Sequence, residues 1–189
     1  QVFGGHIRFF ISGGAPLSRD IAEFFHACDL LILEGYGLTE SAAASTFNLP
    51  DDYRFGTVGL PIPGSEVTIA KDGEILLRSP AIMHGYFKLP AETKEALTED
   101  GWLKTGDIGI LHQSGHLQIT DRKKEIIVTS TGKNIAPSNF ENRLKTSCRY
   151  VSHVVMHGDR RPYCSAIVAI DKAPIHQWAR DRELLFVDY

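Results

Sequence analysis

Apolar residues fall in short runs along the first part of the chain. Ile7 to Ile11 and Leu30 to Leu33 are bounded by glycine and polar residues, the pattern of buried strands. Between them Ser18 can cap a helix in which Ile21, Phe24, Phe25 and Cys28 recur at i, i+3, i+4 and i+7. Strand, helix and strand at this spacing predict a parallel α/β unit. Beyond Pro50 the pattern shortens to hairpins. Val67-Thr68-Ile69 and Ile75-Leu76-Leu77 flank Lys71-Asp72-Gly73, and Gly109-Ile110-Leu111 and Leu117-Gln118-Ile119 flank Ser114-Gly115. With a short helix from Ala91 to Leu97 after Pro90, this section reads as a β-rich subdomain. A third section starts near Asp121. Its β-branched run, Glu125 to Thr129, is turned by Ser130-Thr131-Gly132, and Pro137 opens a helix with Phe140 and Leu144 on one face. Val151 to Met156 is expected to pair with Ala166 to Ile170, and the tail from Ile175 to Leu185 is amphipathic and helical.

Composition narrows the class. A length of 189 residues allows one ordinary domain, or one domain with a small satellite. Apolar residues at 43% and charged residues at 23% describe ordinary globular material. A net charge of -3 gives no electrostatic case for nucleic acid as a partner. No apolar run approaches the roughly 20 residues that span a bilayer, which leaves only peripheral membrane contact open. Cys28, Cys148 and Cys164 are odd in number and far apart, so they read as free thiols and the expected location is cytoplasmic. His112 and His116 flank a turn and supply no zinc cluster.

Four segments carry candidate chemistry. Ser12-Gly13-Gly14-Ala15-Pro16-Leu17 follows a strand; its two glycines let backbone approach a flat ligand, although a simple strand-to-helix turn would use them equally well. Glu34-Gly35-Tyr36-Gly37-Leu38-Thr39-Glu40 follows the next strand. There Tyr36 is expected to expose a ring that could stack on a purine, Thr39 offers a hydroxyl donor, and Glu40 offers a hard oxygen ligand suited to magnesium. Thr105-Gly106-Asp107 places an acid at an expected strand start, able to accept from a ribose diol or simply to turn the chain. Asp121-Arg122-Lys123-Lys124-Glu125 precedes Thr131-Gly132-Lys133-Asn134-Ile135-Ala136-Pro137; a charge run of this kind is often only a solvated face.

Taken together and in this order, the four segments resemble the adenylate-forming superfamily of acyl-CoA synthetases, luciferases and peptide-synthetase adenylation domains. Gly73-Glu74-Ile75-Leu76-Leu77-Arg78 and Gly85-Tyr86-Phe87 resemble that family's β-subdomain signature. Asp-Arg-Lys-Lys followed by Thr-Gly-Lys-Asn-Ile is similar to the long-chain fatty acyl-CoA branch.

The resemblance implies an α/β fold: residues 1–121 as the C-terminal part of the large adenylating domain, and 122–189 as a hinge and an incomplete small α+β domain. It implies a ligase that activates a fatty acid with ATP through acyl-AMP, with magnesium as the ion and coenzyme A as co-substrate. Ligation of a medium-chain or aryl acid, or nucleotide binding without catalysis, are the competing readings. Gly13, Gly14, Ala15 and Pro16 would line the adenine pocket with Glu34, Gly35 and Gly37, and Tyr36 would stack on the base. Thr39 would donate to the α-phosphate, Glu40 would hold magnesium, Asp107 would hold the ribose with help from Arg122, and Lys124 would be the hinge. Gly132 lies in a loop that would serve the thiol; most members carry Gly-Gly where this chain has Thr131-Gly132. The family's phosphate loop is expected upstream of Gln1 and its late catalytic lysine beyond Tyr189. Missing parts of the same polypeptide, or an interface with a second copy, are therefore expected to cover apolar faces of the first α/β unit. The 189-residue chain alone is expected to be inactive in fatty-acid-dependent ATP–pyrophosphate exchange, which measures this directly.

Overall fold

The computed structural model describes residues 3–184. The chain divides after Lys124 into two compact units, Gln1–Lys124 and Glu125–Tyr189. In the first unit, β1 (Phe10–Ser12), α1 (Arg19–Ala27) and β2 (Ile32–Leu38) form the expected parallel unit, with Phe10 opposite Ile32 and Ser12 opposite Glu34. The helix forms where the apolar spacing places it, but the stripe is not its buried face. Ala22 is buried, whereas Phe24 is 64% exposed and Ile21 and Cys28 are also exposed. The apolar surface expected on this unit is therefore present.

Two further strands extend that sheet. β3 (Ala43–Phe47) runs antiparallel to β2, and β4 (Leu60–Pro61) antiparallel to β3, giving the order β1-β2-β3-β4. β3 has no clear signature in the sequence, since alternation is faint in Ala-Ala-Ser-Thr-Phe. What admits the strand is Gly37: a Cβ there would run into the Ala43 carbonyl.

The second sheet contains β5 (Glu66–Ile69), β6 (Glu74–Arg78), β7 (Leu103–Leu111) and β8 (Leu117–Arg122), antiparallel throughout and in sequence order. Both expected hairpins are found, and α2 (Pro90–Ala96) follows Pro90 as expected. Ile75, Leu77, Leu103 and Leu117 form the core of this sheet, and Tyr36 of β2 joins them, so one cluster draws on both sheets. β7 is irregular: Glu74 pairs with Ile108 and Leu76 with Lys104, so Thr105 to Asp107 face the single residue Ile75. Asp107 thus lies within a strand, not at its start.

In the second unit, β9 (Ile127–Val128) pairs with β10 (Asn134–Ile135), and β11 (Val151–His157) with β12 (Ser165–Ile170), both antiparallel. α3 (Pro137–Ser147) opens on its proline and packs on β11. α4 (Lys172–Arg180) starts earlier than its apolar stripe, because the Asp171 carboxylate accepts the Ala173 N–H at 3.1 Å and caps it. The helix ends at Arg180, short of the expected Leu185: residues 181–183 form a turn, and Leu185 itself lies outside the described residues.

Leu117 is fully buried. Leu117→Ala is expected to cost about 2–5 kcal/mol in urea unfolding, whereas Ile167→Ala, at a residue 76% exposed, should change stability by no more than about 0.5 kcal/mol.

Candidate functional site

The carboxyl ends of β1 and β2 and the start of β3 border a cavity of about 570 Å³. That volume is within the range of roughly 300–1,000 Å³ typical of small-molecule sites. Gly13 and Gly14 form one wall; Gly35, Tyr36, Gly37 and Leu38 of β2 form another, and Thr39 adjoins them. At Gly14, where a Cβ would meet open space, a flat ligand can lie directly on backbone, whereas the Phe47 ring and the Ala43 carbonyl occupy the space beside Gly35 and Gly37. The remaining lining comes from Ser12 of the first glycine segment, Ile11 of the preceding apolar run, and Ala42 to Ala44 and Phe47, which had no assigned role in the sequence.

The turn after β2 is tight. Ser41 is buried, and its hydroxyl accepts the Leu38 N–H at 3.0 Å and contacts the Leu38 carbonyl at 3.1 Å. Ala42 and Ala43 follow with φ of 54° and 96°, a conformation that costs an L-residue roughly 1–2 kcal/mol. Such strain collects where neighbouring structure overrides local preference, often beside ligand sites.

Tyr36 departs from expectation. The sequence suggested an exposed ring in a loop; the ring is 8% exposed and belongs to a strand. β3 pairs along Gly35 to Leu38 and keeps that segment extended, and alternation along β2 then turns Tyr36 into the core. Its hydroxyl donates to Asp107 Oδ2 at 2.6 Å. Burial first, and then the hydrogen bond to Asp107, hold the phenol well above its usual range, so it remains a protonated donor.

Asp107 is 4% exposed, and its Oδ1 lies 3.2 Å from Arg122 Nε. The two residues are directly paired across β7 and β8. A carboxylate offers about four acceptor directions, so Tyr36 and Arg122 leave capacity for a vicinal diol. Glu40 sits just after β2; one of its oxygens accepts the Tyr86 hydroxyl at 2.8 Å and its carbonyl accepts the Met83 N–H at 2.8 Å. The tether to Tyr86 was not legible in sequence, where 46 residues separate the partners. A half-buried carboxylate held at one oxygen is a suitable single protein ligand for magnesium, a hard cation that usually keeps several waters.

Among the residues expected at the site, Gly13, Gly14, Gly35, Tyr36, Gly37 and Thr39 share the cavity wall. Ala15, Pro16, Glu34, Glu40, Asp107 and Arg122 lie outside its lining. Lys124 is exposed at the end of the first unit. Gly132 belongs to the second, where its N–H donates to the Thr129 carbonyl at 2.9 Å in a tight turn.

Open α/β sheets bind their ligands outside the carboxyl ends of parallel strands, and this cavity has that placement. The model of the AMP-binding enzyme family matches residues 1–87, and that of the AMP-binding enzyme C-terminal domain matches residues 124–185. The chain belongs to this family of adenylate-forming enzymes. It is 43% identical over 175 residues to the long-chain-fatty-acid–CoA ligase FadD15 of Mycobacterium bovis, covering 93% of this chain and 29% of that protein. It is 37% identical over 192 residues to long-chain-fatty-acid–CoA ligase 6 of Homo sapiens, covering 95% of this chain and 27% of that protein. Among solved structures, the o-succinylbenzoate coenzyme A synthetase MenE of Bacillus subtilis in complex with AMP superposes with a TM-score of 0.77 at 26% identity, over 95% of this chain and 40% of that one. ATP-bound MatB of Rhodopseudomonas palustris gives 0.77 at 31% identity, over 89% and 36%. The chain thus spans less than a third of the length of these curated relatives.

Glu34 has a titration of its own. Burial pushes its carboxyl up from an ordinary 4.5 to about 7, against a smaller opposing effect of a hydrogen bond with the Leu17 backbone. A folded-state pKa above the unfolded one means that the native state holds the proton more tightly. Stability is therefore expected to fall as pH rises from about 4.5 to about 7. Glu34→Gln should flatten that slope, raising the urea midpoint at about pH 8 and leaving it unchanged at about pH 4.

Proposed function

We propose that this chain supplies the nucleotide-recognition surface and the hinge of an AMP-forming fatty acid–CoA ligase, with a long-chain fatty acid, ATP and coenzyme A as substrates. The observation that carries the reading is the buried Asp107, tied to Tyr36 and Arg122, in the unit that holds the glycine-walled cavity. The relatives named for long-chain-fatty-acid–CoA ligation support the acid, and the neighbours solved with AMP or ATP support the nucleotide.

A carboxylate does not acylate a thiol directly, because its leaving group would be oxide. In the first half-reaction a carboxylate oxygen attacks the α-phosphorus of ATP and the bond to pyrophosphate breaks, giving acyl-AMP. In the second, the coenzyme A thiolate attacks the acyl carbon and AMP leaves. Positioning and electrostatics do most of the catalytic work in such phosphoryl chemistry. Gly13 and Gly14 on one side, and Gly35 and Gly37 on the other, frame the adenine, with Ala15, Pro16 and Glu34 flanking that lining in sequence. Tyr36 borders this frame and uses its hydroxyl to orient Asp107. Asp107 accepts from the ribose hydroxyls while Arg122 pairs its charge. Thr39 donates to the α-phosphate. Glu40, steadied by Tyr86, is the protein ligand for a magnesium ion, which when bound neutralises charge on phosphate oxygens. Lys124, at the end of the first unit, is the pivot for the unit that begins at Glu125, and Gly132 gives the following segment its turn.

Calorimetry with AMP tests the reading. The chain is expected to bind AMP, and Asp107→Ala to weaken binding about tenfold or more. A chain that binds no AMP would instead support a non-catalytic scaffold.

A further inference from the structure

Glu74 opens β6 and is 6% exposed, yet it is a carboxylate, so its place in the interior depends on its partners. Both oxygens are engaged. Oε1 accepts the Gly106 N–H at 2.9 Å, and Oε2 accepts from Lys123 Nζ at 2.7 Å. Lys123 Nζ also donates to Asp72 Oδ2 at 2.7 Å, in the turn between β5 and β6, and the Lys123 backbone N–H donates to the Gly106 carbonyl at 2.8 Å. Gly106 immediately precedes Asp107, and Lys123 immediately follows Arg122.

This bracket lies where the regular ladder fails. Thr105 to Asp107 bulge opposite Ile75, whose carbonyl accepts the Thr105 hydroxyl at 2.8 Å, and Gly106 takes φ of +72° with open space around it, so its backbone angle excludes a side chain there and sterics do not. A bulge leaves strand N–H groups without ladder partners, and the Glu74 carboxylate takes one of them. The same carboxylate, through Lys123, ties down the end of β8.

We propose that Glu74 and Lys123 are positioning residues that hold Asp107 and Arg122 in register at the ribose of a bound nucleotide. Neither touches the nucleotide; each acts through the residue beside its anchor. The proposal rests on Asp107 holding the ribose.

The test is a comparison of AMP with 2′,3′-dideoxy-AMP, which lacks the ribose diol, by calorimetry on the full chain and its variants. The parent is expected to prefer AMP by about tenfold or more. Glu74→Gln and Lys123→Met should each reduce that preference to about twofold or less, with affinity for the dideoxy nucleotide unchanged, and Lys123→Arg should restore most of it. Lys123 is largely on the surface, so its substitution reads the bracket even if Glu74→Gln fails to fold. Preference retained in Lys123→Met but lost in Asp107→Ala would overturn the proposal and leave the ribose reading standing. Equal weakening of both nucleotides would assign the bracket to general stability and overturn it as well. A parent chain without preference would remove the ribose reading, and this proposal with it.

Discussion

The Tyr36 hydroxyl donates to the Asp107 carboxylate at 2.6 Å, joining a strand of one four-stranded sheet to a strand of the other. A buried carboxylate is stable only when its acceptor capacity is used, and a buried phenol only when its proton has somewhere to go. Each group thus makes the other's burial tolerable. The Tyr36 ring meanwhile fills the cluster with Ile75, Leu77, Leu103 and Leu117, so the same side chain is both core packing and polar tether. The glycine-walled cavity and the Asp107–Arg122 pair inherit their positions from this contact.

Around it the structure repeatedly places charge at irregular backbone. Glu74 and Lys123 occupy the bulge that carries Asp107, and Glu40 sits on the tight turn that follows β2. Regular strands consume their own hydrogen-bonding groups. Bulges and turns leave some over, and those groups are what a polar ligand or an anchoring side chain can use. This links the fold to the proposed chemistry, in which small rearrangements of a nucleotide's phosphate and ribose contacts decide the rate.

Among its described residues the second unit is built more simply, from two hairpins and two helices, with Val154 of β11 and Ala179 of α4 buried. Much of the β12 surface is apolar and open, including Ile167 and Ile170. The first unit likewise leaves Ile11 and Phe24 open. Apolar side chains of this size gain free energy only when water is removed from them.

Local order was legible from the residues alone. The parallel β1–β2 unit with its helix, the two hairpins of the second sheet, and the proline-initiated helices α2 and α3 follow from apolar period, turn chemistry and fixed proline φ, which act over a few neighbours. The family was legible too, because its motifs keep their order along the chain. Other features depended on residues far apart in sequence. Pairing by β3 made Tyr36 a buried strand residue, a change that no reading of Glu34 to Glu40 by itself could reveal. Partners 71 residues away for Tyr36, 46 for Glu40 and 49 for Lys123 were likewise invisible. Periodicity determines which face of an element is apolar. Only the tertiary fold determines which distant group waits opposite a buried oxygen, since burial is what makes that pairing necessary.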